Sequence, residues 1–455
     1  MKNIKLTLLL FLLFSIKIEA QCWSKINCGS SHTVAIRLDG SLWGWGDNSV
    51  GQIGSINCIN NQCLNQTIIE NVNLYLDINS GSGHTILLKN DNTLWSLGGN
   101  SFGKLGLGLI ETSNVNAPTQ IGTSNDWNTI SSTSTHVLGL KLNGTLWAWG
   151  NNTYGQLGDG STMNKNIPVQ IGFDTNWQKI RSGYSHSLAI KNDGTLWVWG
   201  RNNSGQLGDN SLIDKNFPIQ IGSSNDWVNV YAGYEFSIAL KNDGSIWSWG
   251  NNQVGQLGDG TFINKQVPTQ IGSNNDWQSL DSDYGHTLAI KNDGSLWSWG
   301  WNNGYRLGDG STINRNSPIQ IGNSLSWAKI SAGAGYSMAI TNDNLLYVWG
   351  INNVGQLGDG TNSIIQIPTQ LLCAPLSLNE FNKPKITIYP NPTKDILNIT
   401  STTALQKTII YNLLGAKVYE QLYNETIDVS SLSIGMYILQ VFSEDGVFNS
   451  KFVKE

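Results

Sequence analysis

Histidine is the side chain in this sequence whose chemistry is easiest to name, because imidazole binds metal ions and transfers protons near neutral pH. Phe236 and Tyr336 fill the histidine position in two copies of a recurring pattern. The other copies carry the chain's five histidines, which are His32, His84, His136, His186 and His286. Metal ligands converge on one point, whereas equivalent residues of a repeat are spread apart. We therefore expect each histidine to hydrogen-bond within its own repeat and to bind no metal.

Acidic side chains recur in the same way, each directly after a Leu-Gly pair: Asp159, Asp209, Asp259, Asp309 and Asp359. Such a series could bind calcium or supply paired carboxylates. None of these loops, however, has the staggered Asp and Asn ligands and the closing Glu of a calcium loop. An aspartate in a tight turn commonly bonds its own backbone, and we expect that role here.

Other residue patterns that carry chemistry are missing from the sequence. No Gly-x-Ser-x-Gly follows a strand and opens a helix, and no phosphate loop of the Walker type occurs. The formal net charge is -5, and no run of Lys or Arg forms the basic face that binding to nucleic acid needs. We expect no cofactor, no nucleic-acid partner and no enzymatic activity.

The cysteines predict two disulfides and one free thiol. Cys58 and Cys63 bracket four residues of a divergent loop and could pair locally. In the register of the repeats, Cys22 and Cys373 come together when the first repeat meets the last, and a Cys22–Cys373 bond would lock that junction. Cys28 aligns with a strand position and is expected to be a free, buried thiol. Both bonds require an oxidising, extracytoplasmic compartment.

A short aromatic strand organises the chain around these residues. It reads Leu196-Trp197-Val198-Trp199-Gly200 in its fourth copy. The first aromatic residue of each copy recurs about every 50 residues, at Trp43, Trp95, Trp147, Trp197, Trp247, Trp297 and Tyr347. Both faces of this strand are apolar, so we expect both to be buried between neighbouring repeats.

Each repeat is expected to contain four short strands. In the fourth repeat they cover residues 177–180, 187–191, 195–200 and 218–222, with Pro218 at the start of the last. Asn192-Asp193-Gly194 is a strong signal for the hairpin between the second and third strands. Four strands about every 50 residues predict one blade of an all-β, seven-bladed β-propeller.

The recurring motifs resemble a known family. They are Gly-x-x-His-[Ser/Thr]-x-Ala-[Ile/Leu], Asp-Gly-x-[Leu/Ile]-Trp-x-Trp-Gly-x-Asn and Gly-Gln-Leu-Gly-Asp-Gly. This combination is similar to the RCC1 (regulator of chromosome condensation) repeat, which implies a seven-bladed propeller. It also resembles secreted bacterial propellers of the same repeat that inhibit β-lactamase. The first three repeats depart most, with Leu97 for Trp in the second and Gly139 for Ala in the third.

The two ends of the chain indicate export. Residues 1–20 have the positive start and apolar run of a secretory signal peptide, and no later apolar stretch approaches membrane-spanning length. Residues 21–373 hold the repeats, residues 374–386 read as a linker, and residues 387–455 form a second domain. Short alternating strands with turn signals between them predict that this domain is a small β-sandwich.

The second domain resembles the type A C-terminal sorting domain of the type IX secretion system of Gram-negative bacteria. Its matching motif residues are Tyr389, Pro390, Asn391, Pro392, Gly415, Gly435 and Tyr437. The resemblance implies recognition by the type IX machinery, passage across the outer membrane and, usually, removal of the domain. It also implies that the protein is secreted or held at the outer cell surface.

Loops that vary on a fixed frame are the best candidates for a binding site. The loop before the histidine position contributes most of the candidates, and Trp301 is the one tryptophan outside the three repeat positions. Tyrosine is favoured at interfaces, but these rings could equally pack over the blade edges. The candidate residues for binding a partner are Tyr184, Tyr234, Glu235, Asp283, Tyr284, Trp301 and Tyr336.

Three functions are compatible with these patterns. The favoured one is a secreted or surface protein-binding or adhesion scaffold, with inhibition of another protein as a special case. An enzyme acting on an extracellular polymer is the alternative, although no convergent carboxylate or histidine pair supports it. A guanine-nucleotide exchange factor, the role of the best-known RCC1 protein, would need an intracellular GTPase and is less compatible with export. Fold alone does not decide among them.

Overall fold

The structure is a computed structural model that describes residues 23–54, 58–70, 75–110, 113–322, 326–373, 387–401, 404–412, 416–422, 425–443 and 446–455. The predicted signal peptide and the predicted linker lie outside these residues. The chain divides between Cys373 and Ala374 into two compact units. In the described part of the chain, no helix is long and apolar enough to cross a membrane.

The first unit is a seven-bladed β-propeller in which each blade is an antiparallel sheet of four strands, paired in chain order. The first three blades comprise β1 (Trp23–Cys28), β2 (His32–Arg37), β3 (Leu42–Asp47) and β4 (Gln62–Glu70); β5 (Tyr75–Ser80), β6 (His84–Lys89), β7 (Leu94–Gly98) and β8 (Val115–Gln120); and β9 (Trp127–Ser132), β10 (His136–Lys141), β11 (Leu146–Gly150) and β12 (Lys165–Gln170). Short 3₁₀ turns at Ser101–Gly103 and Asn303–Tyr305 follow the third strands of the second and sixth blades.

The remaining four blades repeat the same plan. They comprise β13 (Trp177–Ser182), β14 (His186–Lys191), β15 (Leu196–Gly200) and β16 (Lys215–Gln220); β17 (Trp227–Ala232), β18 (Phe236–Lys241), β19 (Ile246–Gly250) and β20 (Lys265–Gln270); β21 (Trp277–Asp283), β22 (His286–Lys291), β23 (Leu296–Gly300) and β24 (Arg315–Gln320); and β25 (Trp327–Ala332), β26 (Tyr336–Thr341), β27 (Leu346–Gly350) and β28 (Ile365–Leu371). First strands of neighbouring blades contact one another, so they surround the central channel and the fourth strands form the outer edge.

The second and third strands form the hairpin that the sequence predicts. In the fourth blade, Gly194 has a φ of 78° and its N–H donates to Lys191 O over 2.9 Å. The position predicted for Pro218 is wrong, because Pro218 lies inside β16 and not at its start. The pairing of β16 with β15 is irregular there, so the missing N–H of this edge proline removes no regular ladder bond.

The core includes an apolar cluster at each of the six junctions between consecutive blades, from the first and second to the sixth and seventh. Between the fourth and fifth blades, Leu188, Ile190 and Val198 pack against Ala239 and Trp249, and all of them are buried. The small Ala239 and the large Trp249 alternate with the aliphatic side chains of the fourth blade, which allows the two sheets to interlock densely.

The prediction that both faces of the aromatic strand are buried is only partly correct. Trp199 is fully buried, whereas Trp197 is half-buried. Trp197 packs edge-on against Trp177 at 5.7 Å between ring centroids, and the Lys191 ammonium lies 3.9 Å from its ring centre. The first tryptophan of the strand therefore anchors a surface cation–π contact, and the second fills the core.

The ring closes where the seventh blade meets the first. The Tyr336 hydroxyl donates to His32 O over 2.7 Å, and the Cys28 N–H donates to Ser331 Oγ over 2.9 Å. Gln356 O accepts from Thr33 Oγ1, and also from an indole N–H of the first blade, each over 2.9 Å. Hydrogen bonds between side chains and backbone therefore join these two blades.

The second unit, beginning at residue 374, is a small all-β domain. Its strands are β29 (Thr387–Tyr389), β30 (Ile396–Thr400), β31 (Leu405–Asn412), β32 (Lys417–Leu422), β33 (Thr426–Asp428), β34 (Gly435–Ser443) and β35 (Gly446–Lys454). They form one sheet in the order β29-β30-β33 and another in the order β32-β31-β34-β35. Residues of both sheets share one buried cluster that includes Leu397, Ile410, Leu439 and Phe452, as expected of a β-sandwich.

Candidate functional site

The histidines lie at the start of the second strand of their blades, and all five are fully buried. The expectation that each bonds within its own repeat is wrong, because the partner belongs to the next blade. Four Nε2 atoms lie 2.8–3.0 Å from a hydroxyl oxygen, in the pairs His32–Thr85, His136–Ser187, His186–Ser237 and His286–Ser337. His84 also reaches the next blade, but it contacts Ser132 Oγ at the end of the first strand, because Val137 occupies the hydroxyl position in the third blade. These side chains therefore connect successive blades.

The direction of these hydrogen bonds follows from the hydroxyl protons. Ser237 Oγ donates its proton to Gln206 O over 2.8 Å, and Ser187 Oγ donates to Gln156 O over the same distance. Since each hydroxyl has a single proton, His186 Nε2 must be the donor to Ser237. Burial lowers the pKa of His136 and His186 to about 3 and that of His32 to about 4, so these imidazoles are neutral at neutral pH.

The aspartates of the Leu-Gly-Asp loops have the turn role that the sequence predicts. Asp209 accepts the Ser211 N–H over 3.0 Å and the Asn202 side-chain amide over 2.9 Å, and it forms an ion pair with Lys215 at 3.3 Å. Among the described residues, no group of three or more His, Cys, Asp and Glu side chains is placed to hold a metal ion.

Four aromatic rings form a continuous row across the fourth, fifth and sixth blades, which we call the tyrosine ladder: Tyr184, Tyr234, Tyr284 and Trp301. The ring centroids are separated by 4.0, 4.9 and 5.6 Å along the row. The Arg306 guanidinium lies 4.2 Å from the Trp301 ring centre and caps one end. The sequence pattern predicts these aromatic residues one by one as candidates, and the structure brings them together.

The tyrosine ladder lies on one face of the propeller. Its tyrosines occupy the loop between the first and second strands, and Trp301 follows a third strand, which ends at the same face because the strands are antiparallel. Tyr284 is 41% exposed, and the other three rings are half-buried. The other four blades have small residues at the tyrosine position, namely Ser30, Ser82, Ser134 and Ala334. The aromatic surface is thus confined to one side of this face.

A charged pair borders the ladder. The Glu235 carboxylate forms an ion pair with the Arg201 guanidinium at 3.4 Å and accepts a hydrogen bond from the Ser204 hydroxyl over 2.9 Å. The same guanidinium lies over the Tyr154 ring, 4.7 Å from the ring centre. Glu235 is among the residues predicted from the sequence, whereas Arg201 and Tyr154 are not. Arg201 could have been found from the sequence, because it is the one basic residue at the position that follows the aromatic strand in the seven repeats.

Tyr336 does not belong to this surface, contrary to the prediction. Its side chain is fully buried, and its hydroxyl lies at the junction with the first blade. The phenol ring occupies the histidine position and not the exposed loop position two residues earlier, which is Ala334 in the seventh blade. It therefore offers no free surface to a partner.

Asp283 points toward the central channel. It lines a cavity of about 20 Å³ together with Arg181, Asp281 and Ser282, a volume that suits a single water molecule. Arg181 forms an ion pair with Asp281, which spans from the fourth blade to the sixth. Asp281 also accepts the Ala332 N–H over 2.9 Å, so both of its oxygens are engaged.

The cysteines match the predictions where the structure describes them. Cys58 and Cys63 form a disulfide that closes the turn between Ile59 and Gln62. Cys28 is a free, buried thiol, and burial raises its pKa well above the ordinary value. Cys22 lies outside the described residues, so the Cys22–Cys373 bond stays a prediction.

The sorting-motif residues hold the last strand of the second unit. The Asn391 side chain donates to Lys451 O over 3.0 Å and accepts the Val453 N–H over 2.9 Å. Tyr437 stacks on Phe452 with 5.6 Å between ring centroids. Tyr389 is half-exposed, and Gly415 lies outside the described residues.

Comparison with known families agrees with this geometry. Models of the regulator of chromosome condensation (RCC1) repeat match residues 23–52, 127–156 and 143–190, and a model of the RCC1-like domain matches residues 174–384. The propeller is built from RCC1 repeats. A model of the secretion system C-terminal sorting domain matches residues 387–455, so the second unit is a sorting domain.

Individual RCC1 relatives are distant. The Ultraviolet-B receptor UVR8 of Arabidopsis thaliana is 28% identical over 143 residues, which are 30% of this chain and 32% of the receptor. The chain spans still smaller shares of other curated relatives. Yeast RCC1 (Prp20), in its complex with Kap60, aligns with a TM-score of 0.65 at 18% identity over 82% of this chain and 88% of that one. Human WBSCR16 aligns with a TM-score of 0.61 at 23% identity, over 69% and 85%. These structures share the fold.

Proposed function

We propose that the chain is an exported, non-catalytic scaffold that binds an extracellular protein through the face that carries the tyrosine ladder. The supporting observation is the ladder itself, because it lies at positions where the repeat imposes no aromatic residue. Tyrosine, tryptophan and arginine are the residues that most often dominate the binding energy of protein interfaces. A structural requirement of the blade would place such rings in all seven copies and not in three.

The tyrosine ladder is preorganised for binding. Each ring packs against its neighbour, so a partner restricts few additional rotamers when it covers them. The loops are also joined by backbone bonds, since the Tyr234 N–H donates to Tyr284 O over 3.1 Å. Arg201 and Glu235 then form a polar border beside the aromatic centre, as protein interfaces commonly have.

The sorting domain supports the location of this function. Such a domain directs type IX secretion to the bacterial cell surface or the extracellular space. We propose a Gram-negative source, a partner that is an extracellular protein or surface ligand, and adhesion or inhibition as the outcome of binding. The similarity to secreted propellers that inhibit β-lactamase makes inhibition a specific case to test.

A photo-crosslinking experiment tests the proposed face. One variant of the exported protein carries p-benzoylphenylalanine in place of Tyr284. A matched control carries it in place of Phe173, which is 97% exposed and lies at the opposite face of the propeller, just before the fourth blade. After irradiation in the surroundings of the producing cells, position 284 should yield one discrete protein adduct and position 173 should not.

A second substitution links that adduct to the ladder. Tyr234→Ala in the same chain should weaken capture about 30-fold, the factor that corresponds to loss of a residue worth about 2 kcal/mol. Equal adducts from both probe positions, or an adduct that survives Tyr234→Ala unchanged, would show that the ladder is not the binding surface.

A further inference from the structure

An ion pair closes the loop between the third and fourth strands in four of the blades. It joins the aspartate of the Leu-Gly-Asp turn to a basic residue at the start of the fourth strand. In the fourth blade, Lys215 lies 3.3 Å from Asp209 and pairs in the sheet with Gly200, the glycine that ends the aromatic strand. The equivalent ion pairs of the third, fifth and sixth blades are Lys165–Asp159, Lys265–Asp259 and Arg315–Asp309.

The first blade has a disulfide in place of this ion pair. Cys63 pairs with Gly46 in the same register as Lys215 with Gly200, so the cysteine and the lysine occupy equivalent positions of the fourth strand. Cys63 is bonded to Cys58, which lies earlier in the same loop. A covalent bond therefore closes the loop of the first blade as the ion pair closes the other four loops.

The closed loop fixes the next residue of the fourth strand, and this residue contacts the preceding blade. At the junction of the fifth and sixth blades, the Gly260 N–H donates to Asn316 O over 2.7 Å. Where the seventh blade meets the first, the Gly360 N–H makes the same bond to Leu64 O over 2.9 Å. Leu64 directly follows Cys63, so the outer contact that closes the ring begins at the disulfide.

This outer contact continues along β4. Asn65 and Asp359 form an isolated antiparallel bridge, and the Gln66 side-chain amide donates to Leu372 O over 2.9 Å. On the side of the first blade, the closure bonds described under the fold involve only its first three strands. The fourth strand thus makes a separate contact with the seventh blade, at the outer edge of the ring.

We propose that the Cys58–Cys63 disulfide is a redox-sensitive clasp that holds the outer closure of the ring. Two neutral thiols do not attract each other as Lys215 and Asp209 do, so a reduced loop is no longer closed. Leu64 then depends on its own hydrogen bonds to stay against the seventh blade. Reduction therefore opens the contact at the outer edge first.

The clasp forms by exchange with a disulfide oxidant. A thiolate of one cysteine attacks the oxidant's disulfide and gives a mixed disulfide, and the thiolate of the other cysteine then displaces the oxidant's sulfur. The oxidant leaves as a dithiol that has taken up two electrons and two protons. Cys58 is half-buried and the next residue, Ile59, is 80% exposed, so the loop lies at the surface where such an exchange can occur.

The compartment decides the state of the clasp. The cytoplasm keeps thiols reduced, whereas an extracytoplasmic compartment oxidises them. Because the sorting domain marks the chain for export, the outer closure is completed after the chain has left the cytoplasm. The clasp joins the first and seventh blades and the tyrosine ladder lies on the fourth to sixth, so each can be tested without the other.

The test is hydrogen exchange of the Gly360 amide in the full chain, resolved by mass spectrometry with electron-transfer fragmentation. Cys58→Ala combined with Cys63→Ala removes the clasp. The Gly260 amide is the internal control, because it makes the equivalent bond at a junction where the Arg315–Asp309 ion pair closes the loop. The Gly360 amide should exchange about 30-fold faster in the variant, the order of restraint that a short closed loop supplies, and Gly260 should not change.

A second protein separates loss of the clasp from a folding defect of that variant. Cys22→Ser combined with Cys373→Ser removes the predicted second disulfide and keeps the clasp. In this protein, dithiothreitol should speed exchange of Gly360 alone, and oxidised glutathione should restore the slow rate. A Gly360 rate that is the same in the oxidised and reduced protein would overturn the proposal. Equal acceleration of Gly260 would also overturn it, because the bond would then stabilise the whole propeller and not its closure.

Discussion

Acid should destabilise this propeller well above the pH at which its carboxylates are neutralised, because all five histidines are buried in neutral form. Folding lowers their pKa values, so the unfolded chain binds more protons than the folded chain below the ordinary histidine pKa of 6.5. The free energy of unfolding therefore falls as the pH drops through that value. The histidines that connect the blades are the residues responsible.

The magnitude follows from the shifts. Between about pH 7.5 and about pH 5.5, a histidine whose folded pKa is about 3 loses about 1.4 kcal/mol of stabilisation, and the three histidines with folded pKa values of about 3 to about 4 (His32, His136 and His186) lose about 4 kcal/mol. Asp283 acts in the opposite direction, since burial raises its pKa to about 7 on folding, and returns about 2 kcal/mol. The net loss from these four groups is about 2 kcal/mol, and His84 and His286, whose pKa values burial also lowers, add to it in the same direction. Such a loss is a large part of the stability of a typical domain.

Urea unfolding at a series of pH values, followed by tryptophan fluorescence, measures this loss. All 19 tryptophans lie between Trp23 and Trp349, so the signal reports the propeller and not the sorting domain. The fifth blade supplies the matched variant, His186→Phe, because Phe236 already fills the histidine position there. This variant should lose about 1.4 kcal/mol less than the wild type between the two pH values.

Two results would refute the reasoning. One is a free energy of unfolding that stays constant between about pH 7.5 and about pH 5.5. The other is a pH dependence that is identical in His186→Phe, which would mean that the buried histidines do not carry it.

Three further predictions concern other parts of the chain. Trp199→Ala should cost about 3–5 kcal/mol in urea unfolding because it leaves a large cavity, whereas Trp197→Ala, at a half-buried position, should cost clearly less. The Cys28 thiol should resist iodoacetamide in the folded protein and react in urea, as mass spectrometry would show, because it is buried and largely un-ionised. Asn391→Ala should speed amide exchange of the last strand about tenfold, since two hydrogen bonds to that strand are lost.

The repeat made the blade predictable, but not the contacts between blades. The spacing of the aromatic strands and the hairpin at Gly194 give strand boundaries within a few residues of the observed ones. The partner of His186 lies in the next blade, because adjacent sheets are offset so that the start of one second strand faces the hydroxyl of the next. A sequence pattern with a period of one blade cannot distinguish a bond within a blade from the equivalent bond to its neighbour.

The candidate site shows the same limit. The aromatic residues Tyr184, Tyr234 and Tyr284 could be identified because they depart from the repeat, but their ring-to-ring contacts depend on how neighbouring blades are rotated. Tyr336 was misplaced because it lies at the histidine position, where the phenol reaches into the adjoining blade.

The closure of the ring also sets an order of events during synthesis. The residues that join the seventh blade to the first, from Ser331 to Gln356, come before the sorting domain in the chain. A ribosome therefore completes the closing blade before it makes the export address. A chain that terminates before the seventh blade therefore also lacks the sorting domain. The order of the two units thus prevents incomplete propellers from being exported.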